Sequence, residues 1–183
     1  MKRYLFILLC ISVIIYSCTK EINPYLVTNN QIGLLTDSTQ VRDLDQAFPN
    51  DSISRFIAGD EFAGDINTID IFDSTGKKLL SLSPEVALDS TSTIETVRII
   101  DDRFHTEKNI NSLSTYKDIR QAYSIRKIDN LINSVLISVK ELDVTFSIDK
   151  KELPSNMRFD LDLKIEPIMI PDKAKIKFFM LHW

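Results

Sequence analysis

Thr39-Gln-Val-Arg-Asp-Leu-Asp-Gln-Ala-Phe48 and Ser114-Thr-Tyr-Lys-Asp-Ile-Arg-Gln-Ala-Tyr123, set at an offset of 75, decide how the fold is read. Asp43 and Asp118, Gln46 and Gln121, and Ala47 and Ala122 are identical pairs, and the capping and apolar positions match in kind. In the first stretch Val41, Leu44, Ala47 and Phe48 fall at helical spacing. The cluster Thr36-Asp37-Ser38-Thr39 ahead of it consists of helix-capping types, and Pro49 stops it. In the second, Ser114 and Thr115 cap a face made by Tyr116, Ile119, Ala122 and Tyr123. Such caps matter because the first N–H groups of a helix have no partner inside it.

Around both helices the apolar period drops to two. Ser52 to Ala58 reads as a strand, and Ile66 to Phe72 and Lys78 to Leu82 flank the hairpin turn Asp73-Ser74-Thr75-Gly76. Asp89 to Ser92 is a linker, and Ile94 to Ile100 is β-branched and apolar. Ile125 to Ile128, Ser134 to Val139 and Val144 to Ile148 follow the second helix. From Lys173 the chain alternates, with Ala174, Ile176, Phe178, Met180 and His182 on one face. That terminal aromatic strand resembles the last strand of an outer-membrane barrel. The scarcity of alternating strands of roughly 10 residues makes it a core strand instead. The expectation is an α+β domain over 31–183, made of two tandem helix-plus-antiparallel-sheet units at 31–88 and 94–183. The alternative is two similar amphipathic helices of independent origin.

The N-terminus supplies an address. Lys2 and Arg3 precede the apolar run Tyr4 to Tyr16, which is too short to span a bilayer comfortably, since that takes roughly 20 apolar residues. Ile15-Tyr16-Ser17-Cys18 then looks like a bacterial lipobox, with Tyr16 departing from the usual small or aliphatic residue. This predicts a lipoprotein signal peptide at 1–17, lipidation of Cys18, and a polar tether over 18–30 carrying Pro24. An ordinary cleaved signal and a retained anchor are the alternatives. The only other cysteine, Cys10, leaves with the signal, so no disulfide or cysteine metal site is expected. Loss of Lys2 and Arg3 takes the formal charge from −4 to −6, which excludes an electrostatic footprint for nucleic acid.

Residues suited to chemistry are few. Asp101-Asp102-Arg103-Phe104-His105 places two carboxylates, a guanidinium and an imidazole together, enough for a general base beside an anion clamp. The plainer reading is a strand end with solvated or paired charges, because adjacent strand residues face opposite ways. The loop Gly59 to Asp65 offers oxygen ligands, but its spacing fails the alternating-acid calcium pattern. His182 reads as structural. There is no Gly-x-Ser-x-Gly, phosphate-cradling glycine loop or zinc histidine pair, so no catalytic residue, metal or cofactor is expected.

Ile32-Gly33-Leu34-Leu35-Thr36 with Thr39 and its helix resembles the repeated unit of the RpoE-regulated lipoprotein domain, although Leu34 stands where that domain usually has proline. Arg103-Phe104-His105-Thr106-Glu107-Lys108, Asp149 to Pro154 and Ile170 to Lys175 are similar to stretches in uncharacterised lipoproteins of Bacteroidota. The resemblance runs from about Ile32 to the end and implies an α+β fold of two helix-plus-sheet units, with no activity.

The expectation is a lipid-anchored cell-envelope protein at the outer membrane, a non-catalytic binding or structural module. Its partners would be the membrane, through lipid on Cys18, and an envelope protein. The alternative is a small-ligand-binding protein or hydrolase using Asp101, Asp102, Arg103 and His105. Cys18→Ser should abolish fatty-acid labelling and the lipoprotein-specific cut, since serine has no thiol to acylate. Labelling that survives the substitution refutes the anchor.

Overall fold

A computed structural model describes residues 23–56 and 68–183. The signal peptide, Cys18, the loop Gly59 to Asp65 and the outer ends of the strands expected at Ser52 to Ala58 and Ile66 to Phe72 lie outside the described residues. Strands predominate, with two short helices.

The N-terminal part forms β1 (Leu26–Val27), β2 (Gln31–Ile32) and β3 (Leu35–Thr36), then helix α1 (Leu44–Ala47). There follow β4 (Ser52–Phe56), β5 (Thr68–Phe72), β6 (Lys78–Pro84), β7 (Ile94–Ile99) and β8 (His105–Thr106). Helix α2 (Tyr116–Ala122) leads to β9 (Ile125–Asn130), β10 (Ser134–Val139), β11 (Val144–Asp149) and β12 (Ile176–His182).

Eight strands form one antiparallel sheet in the order β4-β5-β6-β7-β12-β11-β10-β9, so two four-strand meanders meet where β7 pairs with β12. A smaller sheet, β3-β2-β1-β8, is mixed, because β1 runs parallel to β8. Buried side chains alternate along β10 (Val135, Ile137, Val139), and Phe146 and Phe179 stack at 5.0 Å in the core.

Corresponding hydrogen bonds tie each helix to its meander. Val41 N–H donates to the Ser92 carbonyl and Arg42 N–H to Ser90; Tyr116 N–H donates to Ala174 and Lys117 N–H to Asp172. Isolated bridges join Gln40 to Thr93 and Thr115 to Lys175. Each helix start is thus fastened to the chain entering the fourth strand of its own meander. Just upstream, Thr36 N–H donates to the Thr39 hydroxyl and Asn111 N–H to the Ser114 hydroxyl.

Three expectations need correction. The helix around Val41 to Phe48 is a 3-10 turn (Val41–Asp43) and one α-turn, because the Thr36-to-Thr39 hydroxyls bond within their own turn and Gln40 stays extended to bridge Thr93. The fold is therefore mainly β rather than evenly α+β. Leu26 and Val27, expected within a tether, form β1 with Val27 fully buried, so the chain is folded from the first described residues onward. In β12 Ile176 faces Ile148 and Phe178 faces Ser147, which leaves Lys177 as the extra residue of a bulge. The bulge reverses the alternation: Ile176, Phe179 and Leu181 are buried, whereas Phe178 is exposed beneath Arg98 at 5.4 Å. As expected, Thr115 is the cap of α2, where it forms a capping box with Asp118, a partner the sequence reading does not name, and Gly76 takes the positive φ of the hairpin turn (83°).

Leu44 and Ile119, both 0% exposed, occupy corresponding helix positions. Truncating either to alanine should cost about 2–5 kcal/mol, as core cavities do. Urea melts of the chain starting after Cys18 measure this, and a loss near zero at either position contradicts a buried helix face.

Candidate functional site

The Asp101-to-His105 segment leaves the end of β7 and meets the β5–β6 turn. In that turn one oxygen of Asp73 accepts from Thr75 N–H (2.9 Å), the Thr75 hydroxyl (2.6 Å) and Lys77 N–H (3.1 Å), the usual way an aspartate organises a tight turn. Its other oxygen is left to accept from Arg103 Nη2 at 2.8 Å.

Asp101 is the buried centre of the cluster, its side chain 0% exposed. Arg103 reaches it through Nε (2.8 Å) and Nη2 (3.1 Å), Arg103 N–H donates at 2.9 Å, and Lys77 Nζ lies 2.8 Å away. Lys77 also meets the half-exposed Asp102 at 3.5 Å. The Arg103 guanidinium lies 5.3 Å from the Tyr25 ring and donates to its hydroxyl at 3.4 Å, so the N-terminal arm closes the cluster. Tyr25 in turn meets buried Phe104 edge-on at 5.2 Å.

The electrostatics follow from this geometry. Burial is the largest single influence on Asp101 and opposes its charge, but the hydrogen bonds from Arg103 and Lys77 together outweigh it and hold the carboxyl well below the usual carboxylate range. The Thr75 hydroxyl, with Arg103 and backbone N–H groups and against some burial, brings Asp73 down to about 2. Arg103 is pushed up by Asp101 and then Asp73.

A carboxylate bound by two cations is a poor proton acceptor, and a guanidinium bonded to two carboxylates has little left to clamp an anion. His105 stands apart from this chemistry. Its Nδ1 lies 2.8 Å from the Arg103 carbonyl, and because a carbonyl only accepts, Nδ1 is the donor. The structure therefore brings Asp101 and Arg103 together, sets Asp102 at the edge through Lys77, and directs His105 to the backbone. No group of metal-ligating side chains occurs among the described residues. No described helix is long and apolar enough to cross a membrane.

This fold has a solved counterpart. The chain is similar to the uncharacterized protein yfeY from Escherichia coli, whose crystal structure matches with a TM-score of 0.54 at 12% identity, over 86% of this chain and 99% of that one. At that identity the likeness to yfeY is one of fold alone. No family model matches the chain, and no curated protein matches it.

Asp73, Lys77 and Tyr25 belong to the cluster but carry no sequence signal that assigns them to it. Asp73 reads as a turn residue, and Tyr25 lies 78 positions from Arg103 with no local pattern to link them. Folding lowers the Asp73 and Asp101 pKa values, so their ionised forms stabilise the fold above the ordinary value of 3.8. That contribution is lost as pH falls from there through the folded values. Arg103→Met should therefore destabilise by about 3 kcal/mol at neutral pH, the low end for a broken buried pair because Lys77 remains. The gap from wild type should narrow by about pH 2.5, because the same carboxylates are by then protonated in the unfolded chain, so that part of their stabilisation is already lost. Urea melts at the two pH values measure it; a gap independent of pH contradicts the network.

Proposed function

We propose that this chain is a lipid-anchored cell-envelope protein, held at the outer membrane through Cys18, that acts as a non-catalytic binding or structural module. The same reading places it with the uncharacterised Bacteroidota lipoproteins that resemble it in sequence, distant relatives of the RpoE-regulated lipoprotein domain. It also takes the domain as two copies of one unit, a helix followed by a four-strand meander, with the boundary moved from the expected 88–94 so that β7 closes the first unit rather than opening the second. The corresponding bonds from Val41 and Tyr116, and from Arg42 and Lys117, support that duplication.

The observation that carries the functional reading is the saturation of Asp101 and Arg103. The densest set of reactive side chains in the sequence is tied up in holding the β5–β6 turn, the end of β7 and the N-terminal arm together. An anchor and a rigid β scaffold fit a module that presents a surface to an envelope partner.

The test is complementation of a deletion strain by wild type, Cys18→Ser and His105→Ala. The anchor variant should fail and the histidine variant should succeed, with a stability loss of no more than about 1 kcal/mol for its one backbone hydrogen bond. A His105→Ala protein that accumulates and melts normally yet fails to complement overturns the non-catalytic reading in favour of a chemical or ligand site at Asp101 to His105.

A further inference from the structure

After β11 the chain makes a 3-10 turn (Lys150–Glu152) capped by Asp149, whose side chain accepts from Lys151 N–H at 3.0 Å. The other Asp149 oxygen accepts from Lys177 Nζ at 2.9 Å. Among the described residues Asp149 is the sole carboxylate lining a hollow of about 600 Å³, which is also lined by Lys150, Lys151, Arg158 and Lys177. Four cations around one carboxylate is a local reversal in a chain of formal charge −4.

Lys150 is the telling residue. It is 4% exposed, and its buried Nζ has no hydrogen-bond partner among the described residues. A buried ammonium left unpaired is costly, and an anion drawn into the hollow that Lys150 lines would relieve that cost. Arg158, which also lines the hollow, is held by its Nε donating to the Leu153 carbonyl at 2.8 Å. The same hollow is lined by Ile132, Leu161 and Phe159, which are 72%, 52% and 89% exposed. Large apolar side chains standing in solvent against a cationic hollow match a ligand that is anionic at one end and hydrocarbon at the other.

We infer that this hollow binds the phosphate of a phosphorylated lipid, with Lys150, Lys151 and Arg158 on the phosphate oxygens and Phe159, Leu161 and Ile132 along the chain. Phosphate offers several charged oxygens to converging donors, which a single carboxylate does not. The inference deepens the binding-module reading and rests on it. It fails or stands by calorimetry, whereas that reading fails or stands by complementation, so the two failures are distinguishable.

The experiment titrates the full chain in nonionic detergent with dihexanoyl phosphatidic acid, dihexanoyl phosphatidylcholine or inorganic phosphate, with empty micelles as background. Phosphatidic acid should bind tightest. Lys150→Met, which keeps the shape and removes the charge, should weaken it by about ten- to a hundredfold, as loss of a hydrogen bond to a charged group does. Its melting temperature should be maintained or raised, which separates loss of binding from loss of fold. Phe159→Ser should weaken phosphatidic acid and leave inorganic phosphate unchanged. Inorganic phosphate binding as tightly as the lipid, or phosphatidylcholine binding as tightly as phosphatidic acid, overturns the lipid-phosphate site. So does an absence of binding, or binding that Lys150→Met leaves intact.

Discussion

The pairing of β7 with β12 is the constraint on which the large sheet depends. Val97 opposite Leu181 and Ile99 opposite Phe179 join the two meanders, and all four of these side chains are buried. The seam is extended at its end by Trp183 N–H donating to the Glu95 carbonyl, while the Trp183 indole N–H donates to the Asn29 carbonyl. One strand end thereby binds both halves of the sheet and the N-terminal arm. The helix starts reinforce the arrangement from either side, since each is bonded to the segment that delivers β7 or β12 to the seam. β7 and β12 lie far apart in the chain, so the seam forms only by long-range contact. Such long-range pairing carries a loop-closure cost before any reward, which local hairpins avoid.

Local pattern made much of this legible. The hairpin turn at Asp73 to Gly76, the helix cap at Thr115, and the strand at Ser134 to Val139 each depend on residues a few positions apart. What escaped depends on partners far away. Strands of two residues such as Leu26–Val27 and His105–Thr106 are too short to show a period, and they exist because each is the other's parallel neighbour. The first helix lost its expected length to Thr93, which no reading of Thr36 to Phe48 alone contains. The bulge at Lys177 inserts one residue into an otherwise clean alternation, and only the opposing strand reveals that the faces exchange there.

The candidate cluster shows the same division. Two carboxylates, an arginine and a histidine in five residues suggest chemistry by density. The fold separates them by role: Asp101 and Arg103 turn inward to meet Asp73 and Lys77, while His105 bonds a backbone carbonyl. Density in sequence says which groups are near one another, and the partners supplied by other strands decide whether any is free to act. Lys150 is the converse case. It stands in a charged run, Asp149-Lys150-Lys151-Glu152, yet the turn capped by Asp149 buries its ammonium.

The early start of the folded chain bears on how closely the domain sits to a bilayer. Strand β1 begins at Leu26, and Asn23 already accepts from the backbone N–H of Tyr25 through its side chain. From the proposed acylated Cys18 to Asn23 the covalent leash is five residues, which even fully stretched reaches only about 18 Å. A domain so tethered cannot stand off at arm's length. It would ride against the headgroups, and its arm around Asn23 and Tyr25 would set which flank of the sheets looks down at the lipid and which looks away.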